Sequence, residues 1–301
     1  MVPMEKRLTS PRILKDILNR HRIRLLKKLG QNFLVDDNLL AKIVARVDPH
    51  KEDRILEVGP GVGTLTLPLA RKCHSLLAVE IDGRLIPVLG ETLAGQDNVT
   101  LVQGDILKID TAELCRRVFS ASPVKIAANL PYYLTTPFLF KTLQSSLPLV
   151  SLTLLVQREA ARRMLAGPGS KEYGVLSLLV KYYCQATLAF YVPPTVFFPR
   201  PEVESALVCL TPREKPAVQV PREDLLFQVI KASFQQRRKT LANALGGFLP
   251  GGKEQIQEII AAAGLPAMVR GEDLSLEQFA ILSEFLYNIS GKFERQGGGD
   301  R

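Results

Sequence analysis

The chain has 301 residues, 46% of them hydrophobic, and 39 Lys/Arg against 30 Asp/Glu give it a net charge of +9. That length suggests about two domains; no run of about 18 apolar residues exists, which excludes a membrane-spanning helix, and the N-terminus lacks an apolar signal core, so a cytoplasmic protein is expected. Cys73, Cys115, Cys184 and Cys209 lie far apart without a CxxC pair, which excludes zinc or disulfide spacing, so no metal is expected and the thiols read as small buried apolar residues in a reducing compartment.

In chain order, residues 1–30 carry nine Lys/Arg, including Arg22, Arg24, Lys27 and Lys28, against Glu5 and Asp16. They read as a basic arm with one helix, started by Thr9-Ser10-Pro11 and running to about Arg20. Asp36-Asp37 caps a second helix with Leu39, Leu40, Ile43, Val44 and Val47 on one stripe. Strands and helices then alternate: strands at 54–58, 75–81, 99–103, 124–128 and 151–157, with helices at 64–72, 83–93, 111–119 and 136–145. The strands are mostly continuous apolar runs, as in a parallel sheet covered on both faces. The alternation predicts a doubly wound, Rossmann-like α/β domain with right-handed crossovers.

After the fifth strand the pattern changes. Helices are predicted at 158–165 and 175–183, then extended segments at 185–192 and 203–210, which fit an antiparallel hairpin on the sheet edge and bring the strand count to seven. A polar, Pro-bearing linker spans 212–221. Beyond it the signals are helical only, at 223–236, 238–245, 254–263 and 276–289. The expected organisation is the arm (1–30), an α/β domain (31–211), a small helical domain (212–290) and a disordered tail (291–301).

Chemistry concentrates at the strand ends. The strand Ile55-Leu56-Glu57-Val58 runs into Gly59, Gly61 and Gly63; missing side chains let backbone approach a ligand, and ligands of open α/β sheets bind at the carboxyl ends of the strands. The dinucleotide fingerprint G-x-G-x-x-G fits poorly, because Thr64 stands where its third Gly belongs. Glu80 ends the second strand, 21 residues after Gly59, where a carboxylate can accept ribose hydroxyls. Asp105 follows the third strand and can accept an adenine amine, with Ile81 and Ile106 as apolar walls. Asn129-Leu130-Pro131-Tyr132 ends the fourth strand. An adenine N6 is a poor nucleophile because its lone pair is delocalised, and two acceptors aimed at the amine favour its pyramidal form most in the transition state. The Asn129 side-chain oxygen and the Leu130 carbonyl supply them, Pro131 fixes the turn, and Tyr132 can stack on the base. Together these features point to methyl transfer from S-adenosylmethionine to an adenine amine. His21, His50 and His74 fit no role in that chemistry. Lys231, Arg237, Arg238 and Lys239 form a second basic cluster, and such patches attract polyanions.

The motifs Leu29-Gly30-Gln31-Asn32-Phe33-Leu34, Glu57 to Gly63, Val79-Glu80-Ile81-Asp82, Gly104-Asp105, Asn129 to Tyr132, Val156-Gln157-Arg158-Glu159, Val192 to Pro201 and Phe234 to Leu241 resemble those of the small-subunit ribosomal RNA adenine N6,N6-dimethyltransferases, the KsgA type. The resemblance runs from about Lys27 to Glu284. It implies that Gln31, Asn32, Leu34, Gly59, Glu80, Asp105 and Asn129 line the S-adenosylmethionine site. It also implies that Asn129, Leu130 and Tyr132 address the target adenine, with Phe197 and Phe198 bordering its pocket and Arg200 nearby on the RNA side. The implied substrate is a pair of adjacent adenosines in the 3′-terminal stem-loop of 16S rRNA, each methylated twice during late assembly of the 30S subunit. A monomer is expected. Three rivals share parts of this pattern: a large-subunit rRNA adenine methyltransferase of the antibiotic-resistance type, a DNA adenine methyltransferase, and an assembly factor whose binding matters more than its catalysis.

Overall fold

The computed structural model describes residues 7–26 and 29–296; residues 1–6, Lys27, Lys28 and residues 297–301, about which the sequence raised expectations, lie outside the described residues. The chain divides into two compact units: residues up to Ala161 together with Ala186–Pro212, and Arg162–Gln185 together with the residues from Arg213 on.

The first unit is built on a seven-stranded sheet. Its strands are β2 (Arg54–Val58), β3 (Ser75–Glu80), β4 (Val99–Gln103), β5 (Val124–Asn129), β6 (Leu149–Gln157), β7 (Cys184–Val192) and β9 (Ser205–Pro212), in the order β4-β3-β2-β5-β6-β9-β7. The pairs β3–β4, β2–β3, β2–β5 and β5–β6 are parallel, and β9 runs antiparallel to β6. Both faces are covered, which is why Ile55, Leu56, Leu76, Leu77, Ile126 and Ala127 are all fully buried. The order reverses between β2 and β5, the switch point where an open α/β sheet leaves a crevice. Register fixes that crevice: Val58 lies level with Val79 on one side and Ala128 on the other, so Gly59, Glu80 and Asn129 follow at one height.

Two further strands escape the sequence reading. β1 (Phe33–Leu34) and β8 (Phe197–Phe198) form an antiparallel ribbon, Phe33 opposite Phe198 and Leu34 opposite Phe197. Two-residue strands carry no periodicity, and their pairing joins positions more than 160 residues apart.

The described part of the basic N-terminal segment packs into the first unit. The helix α1 (Pro11–Arg20) buries Leu14, Ile17 and Leu18 in one cluster with Phe33, Val62, Leu85 and Val88, each worth about 1.5–3 kcal/mol by area. Pro11 opens the helix, but Ser10 makes no side-chain cap bond; the Thr9 hydroxyl instead donates to Asp37. The next helix, α2 (Asp37–Val47), is capped as expected, with the Asp36 carboxylate accepting the Leu39 N–H at 2.7 Å. Among the remaining helices of this unit, α3 (Thr66–Ala70) and α4 (Ile86–Thr92) are shorter than their apolar patterns, and α5 (Thr111–Phe119) and α6 (Thr135–Leu143) complete the covering. No helix among the described residues is long and apolar enough to cross a membrane.

In the second unit, α8 (Val175–Tyr183) groups with the C-terminal helices α9 (Glu223–Gln235), α10 (Leu241–Leu245), α11 (Gly252–Ala262) and α12 (Leu276–Gln296), rather than with the sheet that surrounds it in sequence. Aromatic contacts explain this. Tyr182 and Tyr183 lie 5.3 and 5.9 Å from the Phe227 ring, and the Tyr173 hydroxyl donates to the Leu274 carbonyl at 2.8 Å. The helix α12 continues to Gln296, so a disordered tail from 291 is corrected: Gly291 alone does not end the helix.

Candidate active site

The ends of β2, β3, β4 and β5, together with β1, border one cavity of about 100 Å³. Gly59 has φ +70°, and nothing lies within 4 Å of where a Cβ would stand, so its backbone faces open space that a side chain would fill. Gly61, at φ +63°, serves a different need: a Cβ there would stand 2.8 Å from Phe33 Cε1, so its bareness seats the ribbon. Gly63 does not line the cavity; a Cβ there would crowd Thr92 and Leu93 at 3.1 and 3.2 Å.

Two carboxylates sit on the β2 and β3 wall. Glu80 is 4% exposed, and its two oxygens accept the Gly61 N–H at 3.1 Å and the Asp82 N–H at 2.9 Å. Burial raises its pKa, and those two bonds oppose the shift. Each oxygen keeps acceptor capacity for a ligand. Glu57 is 2% exposed; burial pushes its carboxyl up to about 8, and the nearby Glu80 charge adds to the rise. Its Oε2 has no hydrogen-bond partner among the described residues. The third acid, Asp105, accepts the Leu107 N–H at 2.9 Å and lines the cavity with Ile81 and Ile106.

The opposite wall is neutral. The Asn129 amide nitrogen donates to the Asn32 carbonyl at 2.9 Å, and the Asn32 amide donates to the Gly30 carbonyl at 3.1 Å. With its NH2 engaged, Asn129 keeps its oxygen as an acceptor. Gly30 sits against the Asn129–Tyr132 turn, where a Cβ would stand 3.1 Å from Pro131 Cβ. Gln31 bridges two walls: it accepts the Leu26 N–H at 2.9 Å and donates to Asp82 at 2.8 Å. The Arg84 guanidinium grips the same carboxylate at 2.6 and 2.8 Å and holds it below the usual range.

Thus Gln31, Asn32, Leu34, Glu57, Gly59, Gly61, Glu80, Ile81, Asp105, Ile106, Asn129 and Pro131 converge on one cavity. Leu130 and Tyr132 are not among its lining residues: the Leu130 side chain is buried with its N–H bonded to the Leu155 carbonyl, and the half-buried Tyr132 hydroxyl is 3.5 Å from Ser205 Oγ. The residue that reaches the cavity is Tyr133, 52% exposed. Burial raises its phenol pKa first, with the Asp105 and Glu80 charges adding. A 3-10 turn over Tyr132–Leu134 decides which of the two tyrosines faces inward, and no sequence rule distinguishes them.

Phe197 is buried in a core with Leu34 and Ile43; Phe198 packs beneath Lys15, whose ammonium lies 5.0 Å from the ring centre. Arg22, Arg24 and Arg200 are exposed, as are Lys231, Arg238 and Lys239. Arg237 is engaged, paired with Glu272 at 3.1 Å and donating to the Tyr173 carbonyl at 3.3 Å.

Comparison with known proteins adds to this geometry. The chain is 45% identical to the ribosomal RNA small subunit methyltransferase A of Alkaliphilus metalliredigens, over 92% of the chain and 97% of that protein. It is 47% identical to the protein of the same name from Enterococcus faecalis, over 93% and 97%. Among solved structures, a dimethyladenosine transferase from Plasmodium falciparum superimposes with a TM-score of 0.72 at 25% identity, covering 86% of this chain and 98% of the other. The 23S rRNA methyltransferase ErmE shares the fold, with a TM-score of 0.64 at 23% identity over 85% and 99%. The sequence pattern of the ribosomal RNA adenine dimethylases matches residues 22–286, and the chain belongs to that family.

Proposed function

We propose that this protein uses S-adenosylmethionine to dimethylate N6 of two adjacent adenosines in the 3′-terminal stem-loop of 16S rRNA, acting as a cytoplasmic monomer on the late 30S precursor. The observation that carries the reading is Asn129, whose amide is oriented by the Asn32 carbonyl inside a cavity that also holds Glu80 and Asp105. The names of the relatives, which cover nearly their whole length, favour the small subunit over the large one.

The cavity fits the donor in two respects. Gly59 leaves open space where any side chain would intrude, and Glu57 holds a buried carboxyl oxygen without a partner, free to bond a polar group of a ligand. Glu80 would hold the ribose hydroxyls and Asp105 the adenine amine, between Ile81 and Ile106. When bound, the donor supplies an electrophilic methyl carbon on a positively charged sulfur. The remaining work falls to this chain. The Asn129 Oδ1 and the Leu130 carbonyl accept the two N6 hydrogens of the target, favouring a pyramidal nitrogen with an available lone pair. An amide does this without taking a proton, so the proton leaves N6 to water. Pro131 holds both acceptors in one turn. A base in a loop is easier to extrude into such a cavity than one in a duplex.

The test is mass spectrometry of rRNA fragments from a deletion strain. The expected result is loss of dimethyladenosine from the 3′-terminal small-subunit stem-loop, restored by the wild-type gene and not by Asn129→Ala. Loss confined to large-subunit rRNA would overturn the assignment.

A further inference from the structure

Beyond the cavity, the first unit carries an open groove of about 710 Å³ between α2 and the end of β7. Its lining combines charge and aromatic surface. Lys42 and Arg46, exposed and one turn apart on α2, face Tyr191 and Phe190 of β7 across it. Asp36 is the one carboxylate in the lining against Lys42 and Arg46, so the lining is net positive. Tyr191 is 47% exposed. The Arg158 guanidinium lies over its ring at 4.8 Å. Tyr191 lines the groove and Arg158 does not, so the ring borders the groove without Arg158 filling it.

Contacts join this groove to the catalytic turn. Tyr132 lies 3.5 Å from Ser205 through its hydroxyl. The neighbouring Glu204 pairs with Arg158 through its side chain and accepts the Arg158 N–H through its carbonyl at 2.9 Å. Arg158 in turn stacks on Tyr191. On the other side, the Val35 N–H donates to the Val196 carbonyl at 2.8 Å, closing the ribbon whose Leu34 lines the cavity and whose neighbours Asp36 and Val196 line the groove. The groove therefore adjoins the edge of the sheet where the target base must arrive. A positive channel with an aromatic platform is the general solution for holding unpaired nucleotides: cations take the phosphates and the ring takes a base of any identity.

We propose that this groove binds an unpaired nucleotide neighbouring the target adenosine, its base on the ring of Tyr191 and its phosphates on Lys42 and Arg46. The inference rests on the RNA-methylating function proposed above. Its role is to hold the strand so that extrusion of the target costs less, and it specifies no base.

The experiment uses the full chain with 30S particles from a deletion strain as substrate. Tyr191→Ala is expected to raise KM for the particles about 10-fold, consistent with loss of one stacked base, while Tyr191→Phe, which keeps the ring, stays within about twofold of wild type. Both should leave kcat and cofactor affinity unchanged. The double variant Lys42→Ala/Arg46→Ala should lower the slope of log KM against log salt by about 1–2. Thermal melting separates folding defects from binding ones. Unchanged KM and salt slope in all three variants would overturn the proposal, as would a change of oligomeric state on Tyr191→Ala with KM unaffected, which would assign the groove to a second copy. A photoactivatable uridine beside the target should crosslink to Tyr191. Should the wild type crosslink there yet methylate no 30S particle, the functional reading fails while the groove stands.

Discussion

The carboxyl ends of β2 and β3 and the carboxyl end of β5 are neighbours at one height of the same sheet, yet they are built on opposite electrostatic terms. The first presents Glu57 and Glu80, both buried and both pushed toward protonation. The second presents a neutral amide pinned by a backbone carbonyl. The difference follows from what each side must hold. In the proposed function the first side holds a nucleoside whose hydroxyls donate to carboxyl oxygens out of water. An amine that must attack as a free base is better served by acceptors that bind its hydrogens without capturing one.

The most severe way to break this division is Asn129→Ala. It should lower kcat about 10²–10³-fold or more, the size seen when one aligned transition-state partner is removed, with cofactor affinity changed less than about threefold. Single-turnover assays and calorimetry on the same preparation check both halves. Wild-type turnover would show that the neutral wall is not catalytic.

Next in size, Glu80→Ala should weaken cofactor affinity about 10–100-fold, the loss of a charge-assisted hydrogen bond, with a smaller effect on kcat. Because Glu80 also holds the N–H groups of Gly61 and Asp82, melting temperature should fall too. Unchanged affinity by calorimetry would remove Glu80 from the ribose site.

Glu57 sharpens the comparison through pH. Its folded pKa of about 8 lies above the ordinary 4.5, so the folded chain retains a proton that the unfolded chain releases. Stability from this group is therefore greatest below about pH 4.5 and is lost as pH rises through 8. Glu57→Gln should melt roughly 2–6 °C above wild type at pH 8.5 and close to it at pH 5. A constant difference across that range would show that Glu57 does not titrate there.

The smallest effect concerns the second unit. Arg238→Glu should lower the salt slope of RNA binding by about 1. Arg237→Glu should also lower melting temperature, because Arg237 is tied to Glu272 and the Tyr173 carbonyl. Equal behaviour of the two variants would mean that the ion pair contributes nothing measurable, as many exposed pairs do.

Much of the sheet was readable beforehand because parallel strands covered on both faces leave apolar runs such as Ile55 to Val58 and Leu76 to Val79. The motifs after those runs placed Gly59, Glu80, Asp105 and Asn129 on the right strand ends. Three things were not readable. The β1–β8 ribbon is too short to leave a pattern, although it seats Phe33 on Gly61 and brings Leu34 into the cavity. The attachment of α8 to the C-terminal helices depends on Tyr182 and Tyr183 meeting Phe227 in space, and on Tyr173 beside it meeting Phe234 and Leu274. The choice of Tyr133 over Tyr132 as a lining residue depends on one turn of 3-10 helix. The role of α1 was visible only in part: its charge suggested an outward arm, while its Leu14, Ile17 and Leu18 are core.

The placement of Tyr133 at the mouth, together with a chain that contains no tryptophan, has a practical corollary. An indole substituted there would be the molecule's sole long-wavelength emitter, situated where the proposed function brings a nucleobase. Its quenching would report occupancy in real time, independently of whether any methyl group is moved.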